Sequence, residues 1–544
     1  MEYDLPRLLP GDGGIQVKYR GKNLYSTIDP VASAERKARS VTIPPETIVI
    51  VPSPLLGYGL QVLVDRLPAT SRIVCVEVDE SLMAITLAQV PEELLQNQSV
   101  SFVRLDSPEA LSLFLNPVLQ SGRYRRVTLA PLSGGYSLYS AAYRSLIAVV
   151  ERDIRTNWQN RLTGTFMGRL WMRNIFRNLA ELTHAVDLSE LHVDLPVVVA
   201  GAGESLEFTI PWLLRSRNEF HLLAVDTAVA PLVSAGIVPD YVVVLEAQWA
   251  NLRDFVPVAG QPLRLAGDIS SHPAPFRLYR DGTHALFLSE FIHIRLIDRL
   301  RTAGIVRTVV PPLGSVGVVA VHLARLLGGG NIFLTGLDFA YRRGKTHAKG
   351  TPSHLAALQT AGRLGPDSLY TVTVATSGIV VADSDRTATG HALLTNPVLR
   401  SYAESLRNML KGDRRVRVLG NHGLDVGVQR LKSEAEFISQ LRSSAVASAR
   451  SPANEHPKHA DVMKFLSAEL ALLVGTTDAV TEFLNSGSVS AWKTLEPMLL
   501  ELDYVYCDFP DGFDGPKSDK SFLKRVLVNL YGYRKTVERA LSAH

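Results

Sequence analysis

The stretch VVVAGAGESLE (197–207) continues through HLLAVDTAVAPLVSAGIVPD (221–240) into YVVVLEA (241–247), and its reading decides the fold. Val197–Ala200 is an apolar run too short for a helix and bounded by glycine, which predicts a buried strand. Gly201-Ala202-Gly203 turns the chain, and Ser205 stands where a helix N-cap is expected. His221–Val225 and Tyr241–Ala247 are two further strand candidates, separated by the helix-like AVAPLVSAG and a turn at Pro239-Asp240. Strand, helix, strand, helix, strand at this spacing implies a parallel sheet with right-handed crossovers. Ligands of such sheets bind outside the carboxyl ends of the strands. There the chain places the glycine turn after the first strand, Asp226-Thr227 after the second and Glu246 after the third. Glycine lets backbone N–H groups approach an anion, and a helix N-terminus carries partial positive charge. A phosphate-bearing ligand at Gly201–Ser205 is therefore expected, against the plainer alternative of a tight turn with no ligand.

The segment resembles the central domain of the motility-associated factor (Maf) family of flagellin glycosyltransferases. That domain is shared with a 6-hydroxymethylpterin pyrophosphokinase-like group, and its glycine turn is similar to the one bacterial sialyltransferases use for a CMP-sugar. The family usually reads GxGPSL, whereas Glu204 replaces the proline here; a carboxylate beside a phosphate is unfavourable unless it faces solvent. The family's strand-end aspartate is Glu246 in this chain. The run GSVGVVAVHLARLLGGGNIFLTGLDFAYRRGKTHAKG (314–350) carries the second half of the resemblance, which extends in outline over the whole chain. Within it, Gly314-Ser315 forms another turn into a helix at 316–328, NIFLTGLDFA reads as a strand ending near Asp338, and His322 falls inside the helix as a structural residue.

Composition bounds the rest. A chain of 544 residues with 46% hydrophobic and 20% charged residues describes a globular protein of two to four domains. A net charge of +4 makes no case for nucleic acid, and two cysteines exclude disulfide frameworks and cysteine zinc sites. No basic-then-apolar leader and no apolar run of about 18 residues stands out, so a cytoplasmic location without a membrane span is expected.

Four regions are expected: an N-terminal Rossmann-like domain (1–135), a helical connector (136–190), a central parallel-sheet domain similar to sialyltransferases (191–392), and a mainly helical C-terminal domain (393–544). In the first, Glu77 ends a strand about 20 residues after Gly57-Tyr58-Gly59, the spacing of a ribose-binding acid after a glycine turn. Pro52, Pro54 and Leu55-Leu56 degrade that fingerprint, which favours a structural α/β domain over a dinucleotide or S-adenosylmethionine site. The connector has helical spacing interrupted at Gly164 and Gly168, and its arginines, from Arg152 to Arg177, read as a solvated face or one that meets an acidic partner. TVTVATSGIVVADSDRTATG (371–390) alternates like a hairpin; its Asp383-Ser384-Asp385 is read as a turn, although metal-dependent glycosyltransferases use the same tripeptide for Mn²⁺ or Mg²⁺.

The resemblance implies a glycosyltransferase moving a nonulosonic-acid-type sugar from a CMP-activated donor to Ser/Thr hydroxyls of flagellin. The donor site is expected at Gly201, Ala202, Gly203 and Ser205, with Asp226, Thr227, Gly314, Ser315 and Lys345 around it. His347, in the loop GKTHAKG, is the expected general base, with Asp338 and Glu246 as alternatives. No protein-held metal is expected, and Mg²⁺ is a candidate companion of the donor. The other functions in view are a pterin-type pyrophosphokinase using ATP and Mg²⁺, and a non-catalytic flagellin-binding chaperone.

Overall fold

A computed structural model gives the fold. It describes the chain except residues 1–4, 12, 106, 121–122, 182–184, 192, 292, 329, 342–344, 361–379, 382–392, 444–458, 513–514 and 543–544. Arg342-Arg343, the Asp383-Ser384-Asp385 tripeptide and most of the expected 371–390 hairpin therefore lie outside the described residues. The architecture is mixed α/β with parallel sheets and a helical C-terminal region, as expected. The chain divides into two compact units, residues 1–166 with 509–515, and residues 167–508 with 516–544.

The first unit opens with an antiparallel meander of β1 (Arg7–Gly11), β2 (Gly14–Tyr19) and β3 (Lys22–Asn23). Four parallel strands follow: β4 (Thr47–Pro52), β5 (Arg72–Glu77), β6 (Val100–Arg104) and β7 (Arg126–Leu129), in the order β6-β5-β4-β7. This is a Rossmann-like half-sheet whose Ile, Val and Cys75 side chains are buried on both faces. Glu77 does not reach outward from it. Its carboxylate is fully buried and accepts hydrogen bonds from Ser53 Oγ (2.7 Å), Tyr143 OH (2.9 Å) and the Val78 N–H (2.9 Å). The carboxylate is thus spent on holding β4 and β5 to the helix that carries Tyr143.

That helix, Ser140–Glu181, runs 42 residues without a break, so the predicted interruptions at Gly164 and Gly168 do not occur. Glycine costs only about 1 kcal/mol in a helix interior, which long flanking turns tolerate. The division between the two units falls within it, between Phe166 and Met167.

The second unit is built on a ten-stranded sheet. Its strands are β8 (Val186–Asp187), β9 (Val197–Ala200), β10 (His221–Val225), β11 (Tyr241–Val244), β12 (Leu265–Asp268), β13 (Ala285–Ser289), β14 (Val309–Val310), β15 (Ile332–Thr335), and, past a short β16–β17 ribbon (Val380–Val381 with Leu394–Thr395), β18 (Val416–Leu419) and β19 (Gln429–Leu431). The order is β14-β13-β12-β11-β10-β9-β15-β18-β19, with β8 beside β13, and every pairing is parallel. The central strands are almost wholly apolar, His221 and Thr335 standing at strand ends, because both faces are buried and leave no solvent side to alternate with. From β9 the chain marches outward to β14 and then crosses back, placing β15 on the other side of β9. That reversal between β9 and β15 is the switch point at which open sheets of this kind bind ligands. The remaining helices include Pro397–Leu410, Glu434–Arg442, His459–Ser486, Val489–Glu501 and Lys520–Ser542.

Candidate functional site

At the switch point the carboxyl ends of β9 and β15 are laced together. Gly201 N–H donates to the Thr335 carbonyl and Gly203 N–H to that of Gly336, both at 2.8 Å. Gly336 bends the chain with φ of +66°, and a Cβ there would meet the Gly201 carbonyl, so no other residue fits without moving β9. This bend ends β15 at Thr335, three residues before Asp338, where the sequence pattern had placed the strand's end.

Ser205 is the first residue of the helix Ser205–Arg215 and not its N-cap. The cap comes from across the sheet: Asp338 Oδ2 accepts the Ser205 N–H at 2.9 Å, and Oδ1 accepts the Ser205 hydroxyl. Ser205 Oγ in turn accepts the Gly336 N–H at 2.8 Å. A Cβ on Gly203 would lie 2.6 Å from Asp338 Oδ2, so the second glycine of the turn makes room for a protein carboxylate. Asp338 is buried, and desolvation pushes its carboxyl above the usual range against the Ser205 hydrogen bonds. The positive end of this helix is thus already matched by an internal anion.

The back wall behind Asp338 comes from the segment 420–427 that follows β18. Leu424 N–H donates to the Asp338 carbonyl at 2.8 Å, and Arg430 reaches the carbonyls of His422 (2.6 Å) and Leu424 (2.8 Å). His422 stacks on Phe208, ring centroids 4.5 Å apart. Ser205, Asp338, His422 and Arg430 line a cavity of about 10 Å³, the size for one water molecule. None of this was legible beforehand, because GNHGLDVG reads as an ordinary glycine-rich return.

His347 lies over the same edge. The Ala348 N–H donates to the Ala202 carbonyl at 2.8 Å, which clamps the 345–350 loop across the glycine turn. His347 Nδ1 lies 3.1 Å from Thr346 Oγ1. Burial, and then the charge of Arg253, lower its basicity, so the ring is neutral at physiological pH. Lys345 faces two carboxylates, Glu204 at 3.3 Å and Glu207 at 2.7 Å. Glu204 therefore has a cationic partner in place of solvent, which answers why a carboxylate is tolerated at the start of the helix.

After β10, Asp226 is buried and accepts the Thr227 N–H at 2.8 Å. Desolvation, reinforced by the charge of Asp254, pushes its carboxyl up to about 7. Asp254, in the short helix Leu252–Phe255, is likewise buried and raised, with Oδ2 at 3.5 Å from Thr227 Oγ1. The sequence reading missed Asp254 because nothing in NLRDF marks it as the partner of a strand-end acid. Glu246 is exposed beyond β11, and its Oε1 accepts the Gln248 N–H at 3.0 Å. Gly314 (φ +70°) and Ser315 precede the helix Val316–Leu326, whose Gly317 packs on Leu337, so this second helix N-terminus converges on the same switch point. The structure thus gathers Gly201–Ser205, Asp338, Lys345 and His347 around the β9–β15 edge, with Asp226 and Thr227 at the neighbouring end of β10 and Glu246 one strand further on.

Comparison with known proteins bears on the fold. Residues 173–344 match the family described as 6-hydroxymethylpterin diphosphokinase MptE-like. The chain is similar in structure to a MAf glycosyltransferase from Magnetospirillum magneticum AMB-1, with a TM-score of 0.55, 14% identity, and coverage of 98% of this chain and 92% of that one. A Treponema pallidum (strain Nichols) protein whose name gives no activity is 28% identical over 564 aligned positions, covering 99% of this chain and 96% of that protein. A second protein of the same organism is 30% identical over 98 residues, 17% of this chain and 46% of that protein. These findings bear out the resemblance to the Maf fold with an MptE-like central region; at 14% identity the likeness to the solved structure is one of fold.

Proposed function

We propose that the protein is a glycosyltransferase that moves a nonulosonic-acid-type sugar from a CMP-activated donor to Ser/Thr hydroxyls of flagellin in the cytoplasm. The observation that carries the reading is the clamp of the loop at Ala348 onto Ala202 of the glycine turn, which holds the backbone next to His347, a neutral imidazole, at the β9–β15 switch point. The donor's phosphate lies at the rim of Gly201–Ser205, flanked by Gly314-Ser315 and Lys345, and its ribose or base lies near Asp226-Thr227. His347 takes the acceptor hydroxyl's proton as that oxygen attacks the sugar's anomeric carbon, and CMP leaves with the bonding pair. Asp338 is a positioning residue, since both of its oxygens are committed to Ser205. Glu246, exposed and bonded to its own turn, is the weaker alternative base. Chemistry of this kind rests on positioning and on stabilising the leaving phosphate.

The MptE-like match favours a second reading, a pyrophosphokinase acting on a pterin-type alcohol with ATP and Mg²⁺. Mg²⁺ prefers charged oxygens, and burial opposes ionisation of both Asp226 and Asp254, so that pair is a poor fit to the ion as it stands. Calorimetry with CMP and with ATP–Mg²⁺ separates the two: tighter binding of CMP supports transfer, and tighter binding of ATP–Mg²⁺ supports the kinase. Intact-mass analysis of flagellin from a strain lacking the gene completes the test. Flagellin of unchanged mass would leave a non-catalytic flagellin-binding role.

A further inference from the structure

Away from the switch point, the carboxyl edge carries a group of cations that outnumbers the acids beside it. Arg173 and Arg177 stand one turn apart on the helix Ser140–Glu181, both half-buried. Their position is fixed by the neighbouring Asn174 and Asn178. Asn174 Nδ2 donates to the carbonyls of Ala247 (3.0 Å) and Ser270 (3.1 Å), and Asn178 Nδ2 to those of Ile269 and Ser271, both at 2.8 Å. The arginine pair is thereby pinned beside the ends of β11 and β12, two strands along from the glycine turn.

The acid one turn further on, Glu181, is already taken by Arg277 at 2.8 Å and Arg280 at 3.3 Å. Arg173, Arg177 and Arg539 form no ion pair with a described residue. Arg277, through its pair with Glu181, lies one turn beyond Arg177 on the same helix face, and burial followed by the charges of Arg173, Arg277 and Arg539 pushes the Arg177 guanidinium below its ordinary range. His272 belongs to the same group. Its Nδ1 accepts the Ala274 N–H at 3.1 Å, and burial with Arg177 and Arg277 lowers its basicity, so it offers an Nε2–H donor. Trp249, 64% exposed, meets the His272 ring edge-on at 5.3 Å. The guanidinium groups of Arg173, Arg177 and Arg539 can only donate, and like charges held together half out of water repel unless an anion lies among them.

We propose that Arg173, Arg177, Arg277 and Arg539, with His272, form an oxyanion-binding site for a small ligand carrying a diphosphate or an equivalent pair of anionic groups, with Trp249 as the flat wall beside it. Guanidinium forks match phosphate oxygens two at a time. The site stands whether or not the glycosyltransferase reading holds, since neither its residues nor its test involves transfer.

The test is binding of pyrophosphate to the full-length protein at low salt, by calorimetry and by the shift in melting temperature, with CMP and ATP as parallel arms that separate free anion from nucleotide. Arg177→Gln is expected to weaken pyrophosphate binding about tenfold to a hundredfold, the worth of a hydrogen bond to a charged group. Without anion, its melting temperature stays level or rises, because repulsion is relieved. Arg173→Gln gives the same pattern and serves if Arg177→Gln fails to fold. Arg414→Gln, exposed and remote in sequence, is expected to bind as the wild type does. Absence of wild-type binding overturns the proposal, as does an equal loss in Arg414→Gln. Lower melting temperatures in both site variants with anion binding intact would make the cluster purely structural and overturn it too.

Discussion

On the proposed reading His347 takes the acceptor's proton, and burial and Arg253 keep its imidazole in the neutral form which that role requires. His347→Ala is expected to leave CMP binding nearly intact while transfer falls roughly 10²–10⁴-fold, the usual worth of a general base. Parallel losses in calorimetric affinity and in transfer would instead make it a phosphate ligand. Asp226 supports a prediction on stability. Its folded carboxyl titrates at about 7, above the roughly 4 of an unfolded aspartate, so the fold binds the extra proton across that window. Stability from this group is complete below about pH 4 and is lost as pH rises towards 7. Asp226→Asn should therefore flatten the dependence of melting temperature on pH and exceed the wild type above pH 7. Parallel curves for the two proteins would show that Asp226 does not titrate there.

Among the elements, the helix Ser205–Arg215 depends on a cap it does not encode. Its own start reads Glu204-Ser205, and the orphan N–H of Ser205 is satisfied by Asp338, 133 residues later. Asp338→Ala strands that N–H and the Ser205 hydroxyl in a buried place, at about 1–3 kcal/mol for each unsatisfied group. The urea midpoint should fall accordingly, with Asp338→Asn intermediate because an amide oxygen still accepts. A midpoint unmoved in both variants would mean that water replaces the carboxylate and that the cap is dispensable. The VVVA, HLLAV and YVVV runs were legible as strands because short apolar runs beside glycine and aspartate have few other structures open to them. The cap was not, since a loop aspartate carries no local sign of the helix it will meet.

For the whole second unit, the C-terminal helices dock through a buried ion pair. Glu469 on the helix His459–Ser486 accepts from Arg299 at 2.7 Å and from the Tyr504 hydroxyl at 2.8 Å, and Arg299 also holds Glu501 at 2.8 Å. Glu469→Ala should cost about 3 kcal/mol in urea unfolding, the low end for breaking a buried pair, because Glu501 remains to Arg299. Glu469→Gln, which keeps the acceptor, should cost less. Equal and negligible losses would show that apolar packing alone seats these helices. The sheet itself extends past residue 392 through β18 and β19, and the segment between them walls the site behind Asp338.

By itself the sequence determined the parallel sheet, the course of its central strands and the loop that carries His347, because apolar run length, glycine turns and crossover handedness are local rules that one chain segment satisfies alone. The ends of β11 and β15, at Val244 and Thr335, fell three residues short of its expectation. Tertiary structure decided which charges those ends would see. Asp338 became a cap instead of a free carboxylate, Lys345 was neutralised by Glu204 and Glu207, Glu77 turned inward to Ser53 and Tyr143, and Asp226 gained Asp254. Electrostatic partners act through space across segments far apart in the chain, and burial sets their strength, so neither is written in spacing or composition.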